Sequence, residues 1–344
     1  MSQVALLDQR QRPLRQLRLS VTDRCNLRCN YCMPEENYAW LPREQILSLE
    51  ELATIASAFI ACGVRGVRLT GGEPLLRKNL TELVARIAEH PELGDLAMTT
   101  NAVHLPRHAR ALRAAGLRRL TLSLDTLIPE RFAALTRRDR FEEVLAGIES
   151  AAEAGFQGTK MNVVVQRDFN LDELPQLIAF GRERDIQVRF IEYMDVGGAT
   201  AWTQSKVVSR AEILALIEAK FGPVEEMPRT DAAPADRFQL ADGTVFGIIA
   251  STTQPFCATC DRSRVTADGT WFRCLYAREG TSLRDLLRER GEEAVRAAVS
   301  EIWEQRVDAG AEERIALRER RGPLQSPGRP AEEDPLLEMR TRGG

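Results

Sequence analysis

No apolar run in this 344-residue sequence approaches the roughly 20 residues that a membrane-spanning helix needs. The opening residues, MSQVALLDQRQRP, lack the charged start and long apolar core of a secretory leader. There is no basic excess: 47 Lys and Arg stand against 50 Asp and Glu, a net charge of −3. Nucleic-acid-binding domains are usually basic, so that class is excluded. These absences predict a soluble, cytoplasmic protein that contacts neither membrane nor nucleic acid. In a reducing compartment its cysteines are thiols or metal ligands, not disulfides.

A fourth cysteine is also missing, twice. The seven cysteines divide as three, three and one. TDRCNLRCNYCMP carries Cys25, Cys29 and Cys32, and CATCDRSRVTADGTWFRC carries Cys257, Cys260 and Cys274. Either the sets share ligands or each leaves a metal position open. Cys62, alone in SAFIACGV, reads as a small buried hydrophobe.

Strand-like runs at 17–22, 64–72, 95–102, 118–125, 158–166 and 186–194 alternate with helical stretches at 49–62, 80–90, 107–116, 141–155 and 171–184. That alternation predicts a parallel sheet. Six units are too few for the eight-fold barrel. The reading is α/β, a partial (β/α)6 TIM-like barrel over 1–220. A helix at 210–220 ends that part, and a C-terminal extension over 221–320 holds a hairpin (237–251), the second cysteine set and a helical region (281–318). Residues 321–344 form a tail, with RGPLQSPGRPAEEDP (321–335) as a flexible linker.

Successive strand residues point to opposite faces. Leu17, Leu19 and Val21 alternate with Arg18, Ser20 and Thr22, and the other strands do likewise. The helices take the apolar face, which leaves Arg18, Arg68, Thr99, Ser123 and Lys160 lining the inside. Such a lumen is a chamber, and its cations suit a polyanion. The competing readings are exposed strand edges, or arginines paired with carboxylates.

The first cysteine set follows the first strand, so it lies at the strand's C-terminal end, where βα-barrel active sites are built. Asp23, Arg24, Asn26, Arg28 and Asn30 surround it, which argues against an apolar helix face. Structural zinc takes four ligands, whereas three thiolates in one loop suit an iron–sulfur cluster better.

CNLRCNYC resembles the CxxxCxxC signature of the radical S-adenosylmethionine (SAM) superfamily, and GGEP (71–74) resembles its SAM-binding turn. LRLSVTDRCNLRCNYCMP, CATCDRSR…FRC and the terminal Gly-Gly are together similar to the GTP 3′,8-cyclase family, from about Leu14 to Gly344. The resemblance implies two [4Fe–4S] clusters, each with three cysteine ligands and one open iron. One open iron binds SAM and the other binds the guanine of GTP. Reductive cleavage of SAM then yields a 5′-deoxyadenosyl radical that abstracts hydrogen from C3′ of GTP. Attack on C8 gives 3′,8-cyclo-7,8-dihydro-GTP, the first step of molybdenum cofactor biosynthesis. A cyclic pyranopterin monophosphate synthase consumes it, an external donor supplies electrons, and a homodimer is allowed.

Carried over by residue, Tyr31, Gly72, Ser123 and Met194 match SAM contacts. Arg18, Arg68, Thr99, Lys160, Arg262, Ser263 and Arg264 match GTP contacts. Gly343 and Gly344 match a tail that enters the active site. Two positions depart from the pattern: Ala102 replaces the glycine of a Thr-Asn-Gly turn, and Arg342 replaces an aliphatic residue before Gly-Gly. The rivals are another radical SAM enzyme with an auxiliary cluster that modifies a peptide, an iron–sulfur electron carrier, and a zinc-structured binding module.

Overall fold

The computed structural model describes residues 5–35, 38, 40–196, 201–317, 322, 324 and 338–342. Elements are named in chain order. The barrel half contains β1 (Gln16–Ser20), α1 (Leu49–Ala61), β2 (Gly66–Thr70), α2 (Leu80–Ala88), β3 (Asp95–Thr100) and α3 (Leu105–Ala114). It continues through β4 (Arg119–Ser123), α4 (Pro129–Thr136), α5 (Phe141–Glu153), β5 (Lys160–Val165), α6 (Leu174–Glu183) and β6 (Gln187–Glu192). Beyond it come α7 (Arg210–Phe221), β7 (Glu225–Glu226), β8 (Asp236–Gln239) and β9 (Val245–Ile249). The last elements are β10 (Arg262–Val265), β11 (Thr270–Phe272), β12 (Thr281–Ser282), α8 (Leu283–Glu304), α9 (Gly310–Ala316) and α10 (Met339–Arg342).

Local sequence explains the helix positions. A Ser48–Glu51 capping box starts α1, and Leu52, Ile55, Ala56 and Phe59 form its buried stripe. Leu17, Leu19, Val67, Leu69, Leu120, Leu122, Met161 and Val163 are buried against the helices, as the alternation predicts. The linker expected at 321–335 lies outside the described residues except for Gly322 and Leu324. Cys62 is only half-buried, because it caps the end of α1, where its Sγ meets Ser300 Oγ at 3.4 Å.

The sheet adds a feature that local pattern did not reveal. β1 to β6 are parallel neighbours in sequence order. β9 joins β6 in parallel and β10 joins β1 in parallel. Eight parallel strands therefore run in the order β10-β1-β2-β3-β4-β5-β6-β9, flanked by antiparallel pieces. β9 and β10 form the two lips of the opening, and the chain between them carries Cys257 and Cys260. Buried Glu192, at the end of β6, anchors that chain by accepting from Thr252 N at 2.9 Å and Thr253 N at 2.7 Å. The C-terminal region thus completes the barrel wall, with α8 lying against α1.

Candidate active site

Side chains from β1 to β6, β9 and β10 line one cavity of about 530 Å³. A flat sheet could not bring its outer strands to a common space, so the wall is curled. Both cysteine sets border this cavity. Cys25, Cys29 and Cys32 follow β1 and lie at the C-terminal ends of the strands. Cys257 and Cys260 precede β10, whose Arg262 pairs in register with Gln16 at the start of β1. The two sets therefore face each other from opposite ends.

Cations occupy the layer between them. Arg18 is in register with Arg68 on one side and Arg264 on the other. Arg119, Lys160, Arg189 and Arg262 share the same lining. Arg68 Nη1 donates to Thr121 Oγ1 at 2.8 Å and to Thr99 Oγ1 at 3.5 Å. Arg189 donates from Nε and Nη2 to Asn162 Oδ1 at 3.0 and 2.7 Å.

Burial, then the neighbouring Arg264, Arg262 and Arg68, pushes the Arg18 guanidinium well below its usual range. Burial and Arg119 bring Arg68 down to about 10. Burial, then Arg68 and Arg119, brings Arg189 to about 9. Burial, then Arg189, Arg119 and Arg68, lowers Lys160 to about 8. Cations that depress one another in a dry chamber are relieved by a multiply charged anion.

The first loop is held by backbone. Gly72 N donates to Thr22 O at 3.0 Å and Glu73 N to Arg24 O at 2.8 Å. A Cβ on Gly71, at φ +135°, would sit 2.2 Å from Thr22 O, and one on Gly72 would sit 2.3 Å from Arg24 O. Both positions need glycine because the cysteine loop presses directly on this turn. Buried Glu73 accepts from Thr100 Oγ1 at 2.7 Å, Asn101 N at 2.8 Å and Leu75 N at 3.0 Å. Burial raises its carboxyl to about 7 against those bonds. Asn101 Nδ2 reaches Asn26 Oδ1 at 2.8 Å. Ala102 adopts the left-handed φ of +66° that a glycine would take, so the turn keeps its shape.

Tyr31, Gly72, Ser123 and Met194 line the cavity on the side of the first set, and Arg18, Arg68, Thr99, Lys160, Arg262 and Arg264 line its cationic layer. Ser263 is set apart: its side chain is fully buried outside the cavity lining and accepts from Trp271 Nε1. Strand alternation dictates this, since Arg262 and Arg264 take the inner face. Gly343 and Gly344 lie outside the described residues, but the preceding turn docks at the cavity. Arg264 Nη1 donates to Arg342 O at 3.4 Å, and the Arg342 guanidinium lies 4.1 Å over Phe272. Arg340 packs against Tyr38 and Trp40, at 4.8 and 4.9 Å from their ring centres. The alternation of β6 could have found Arg189, because Val188 and Phe190 are buried on either side of it.

The donor sets fit iron–sulfur clusters. All six cysteines are free thiols at one cavity. Burial pushes the Cys25 and Cys274 thiols up to about 11 and Cys32 to about 12. Such thiols give up their protons when an iron centre takes the place of the proton. At Cys260 burial is outweighed by Arg262 and Arg306, which bring it down to about 6.

Comparison with known proteins places this geometry. The radical SAM superfamily model matches residues 19–181, and the Molybdenum Cofactor Synthesis C model matches residues 186–311. The chain is 51% identical to "GTP 3',8-cyclase 1" of Mycobacterium tuberculosis, over 99% of this chain and 96% of that one. It is 48% identical to "GTP 3',8-cyclase" of Acidothermus cellulolyticus, over 88% and 86%. Among solved structures, Streptococcus suis SuiB matches with a TM-score of 0.50 at 22% identity, over 60% of this chain and 46% of that chain. That likeness concerns the fold alone. Radical SAM membership brings a [4Fe–4S] cluster and SAM with it. No helix among the described residues is long and apolar enough to cross a membrane. At these identities and coverages, the chain belongs to the GTP 3′,8-cyclase family.

Proposed function

We propose that this protein converts GTP to 3′,8-cyclo-7,8-dihydro-GTP in the cytoplasm, with the first cysteine set serving SAM and the second serving the guanine. The observation that carries the reading is a single cavity with a cysteine triplet at each end and a cationic layer between them. Cys25, Cys29 and Cys32 would hold one [4Fe–4S] cluster, and Cys257, Cys260 and Cys274 would hold a second. When bound, the first cluster supplies the electron that cleaves SAM.

The chain's own groups do the rest. Arg18, Arg68, Lys160 and Arg264 neutralise the triphosphate, and the hydroxyls of Thr99 and Thr121 fix the Arg68 fork. Tyr31, Gly72, Ser123 and Met194 receive SAM at the other end. The enclosed wall keeps water from the reacting carbons. Holding C3′ near C8 makes ring closure intramolecular, and orientation of this kind removes much of the entropic barrier. The Arg340–Arg342 turn is anchored at the chamber, and a role there for Gly343 and Gly344, which lie outside the described residues, is part of this proposal. A cyclic pyranopterin monophosphate synthase takes the product, an external donor supplies the electron, and a homodimer is compatible with this scheme.

The test is 5′-deoxyadenosine and cyclised-nucleotide formation by the reduced, anaerobically reconstituted protein. GTP-dependent formation of both supports the proposal. Deoxyadenosine with peptide substrates and no cyclised nucleotide favours a peptide-modifying relative. Neither product leaves an electron carrier.

A further inference from the structure

The second cysteine set is gripped by two arginines that this chemistry does not use. Arg12 and Arg306 come from opposite ends of the chain and are 2% and 1% exposed. Arg12 Nη1 donates to Cys257 O at 3.0 Å, and its Nε pairs with Asp8 at 2.6 Å. Arg306 Nη1 donates to Cys260 O at 2.9 Å, and its Nη2 lies 3.6 Å from Cys260 Sγ. The Arg306 guanidinium sits 4.5 Å over the Trp303 ring, with Asp8 at 3.7 Å and Asp308 at 3.3 Å.

This packing fixes one orientation. Trp303 covers a face of the guanidinium and the carboxylates take one side. The remaining N–H groups point at Cys260. The first set is furnished differently. At Cys25 the sulfur meets neutral donors, Leu27 N at 3.4 Å and Asn101 Nδ2 at 3.9 Å, where Cys260 meets a guanidinium. A charge-assisted hydrogen bond is the stronger kind. Net charge and hydrogen bonds to sulfur set the potential of an iron–sulfur centre.

We propose that Arg306 is a positioning residue for the second iron–sulfur site: it donates to the sulfur and carbonyl of Cys260 and makes that site easier to reduce. The inference rests on the reading that the second set holds a [4Fe–4S] cluster. An added electron increases negative charge on the sulfurs, and a fixed cation in hydrogen-bond range favours it. Removing Arg306 takes away the cation that faces both Cys260 and Asp308, so the surroundings become more negative.

The test uses the full-length chain with Cys25, Cys29 and Cys32 changed to Ala, reconstituted anaerobically, so that only the second site takes up iron. A redox titration followed by electron paramagnetic resonance gives its midpoint. Arg306→Lys is expected to leave the midpoint unchanged. Arg306→Gln and Arg306→Met are expected to lower it by at least about 59 mV, a tenfold change in the one-electron reduction constant. Unchanged midpoints in both neutral variants overturn the proposal. If the neutral variants hold no iron, protein with ¹⁵N-labelled arginine side chains decides. The reduced site should show a nitrogen hyperfine coupling that Arg306→Lys abolishes, and no such coupling overturns the proposal. An iron count near zero in the triple-cysteine protein, rather than about four, defeats the reading of the second set itself and is told apart by that count.

Discussion

The Tyr31 hydroxyl donates to Asp125 Oδ2 at 2.8 Å and joins the first cysteine loop to the end of β4 across 94 residues. The same carboxylate accepts from Val164 N at 2.7 Å, so it braces the loop against β5 as well. Burial raises it to about 6 in spite of both bonds. Asp125→Ala leaves two half-buried donors without their acceptor, each costing up to about 1–3 kcal/mol. Denaturant unfolding should show that loss. SAM affinity should fall further in this variant than in Tyr31→Phe, which keeps the ring and removes only its hydroxyl. Wild-type stability in Asp125→Ala would show that the brace carries no weight.

The cysteine sets should separate by variant. Anaerobic wild-type protein should carry about eight irons, four per cluster. Replacing Cys25, Cys29 and Cys32 should remove one cluster and all deoxyadenosine formation. Replacing Cys257, Cys260 and Cys274 should spare the first cluster, and deoxyadenosine formation with it, while ending cyclisation. Cyclised GTP from the second variant would make that set structural.

Arg68→Ala should weaken GTP binding much more than SAM binding. A charge pair at 4 Å is worth about 4 kcal/mol at an effective dielectric near 20. An exposed pair is worth under about 1 kcal/mol. Calorimetric titration of both ligands distinguishes these cases, and an unchanged GTP affinity would place Arg68 away from the nucleotide.

Lys160 gives a pH signature. Its folded value near 8 lies below that of a free lysine, so without ligand it loses its proton as pH rises through 8. An anion favours the charged form. GTP affinity should therefore decline above pH 8, with net proton uptake on binding there and little at pH 6.5. Calorimetry in two buffers of different ionisation enthalpy measures that uptake. Lys160→Met should abolish it, and equal uptake in the variant would assign the proton to another group.

The tail can be tested by deleting Gly343 and Gly344. Arg340 and Arg342 keep their contacts with Tyr38, Trp40 and Phe272, so folding and both clusters should survive. Deoxyadenosine should then form with little cyclised nucleotide. Equal product yields from full-length and shortened protein would make the tail a bare end.

The sequence by itself determined the strand–helix order, both cysteine triplets and the inward set Arg18, Arg68, Thr99, Ser123 and Lys160. Each of these follows from short-range rules: alternation along a strand, spacing within a loop, and a motif carried on consecutive residues. The same alternation, taken strictly, turns the Ser263 side chain away from the chamber, although it stands between two inward arginines. Tertiary structure alone decided that β9 and β10 would form the lips of the barrel and set the two cysteine sets at opposite ends. Parallel pairing joins segments far apart in the chain, and no local periodicity encodes which edge a late strand will join. The partners of Cys260 were hidden for the same reason. Arg306 and Asp8 stand at opposite ends of the chain, and only the closing of the fold brings them to one buried cluster, where water no longer screens their charges.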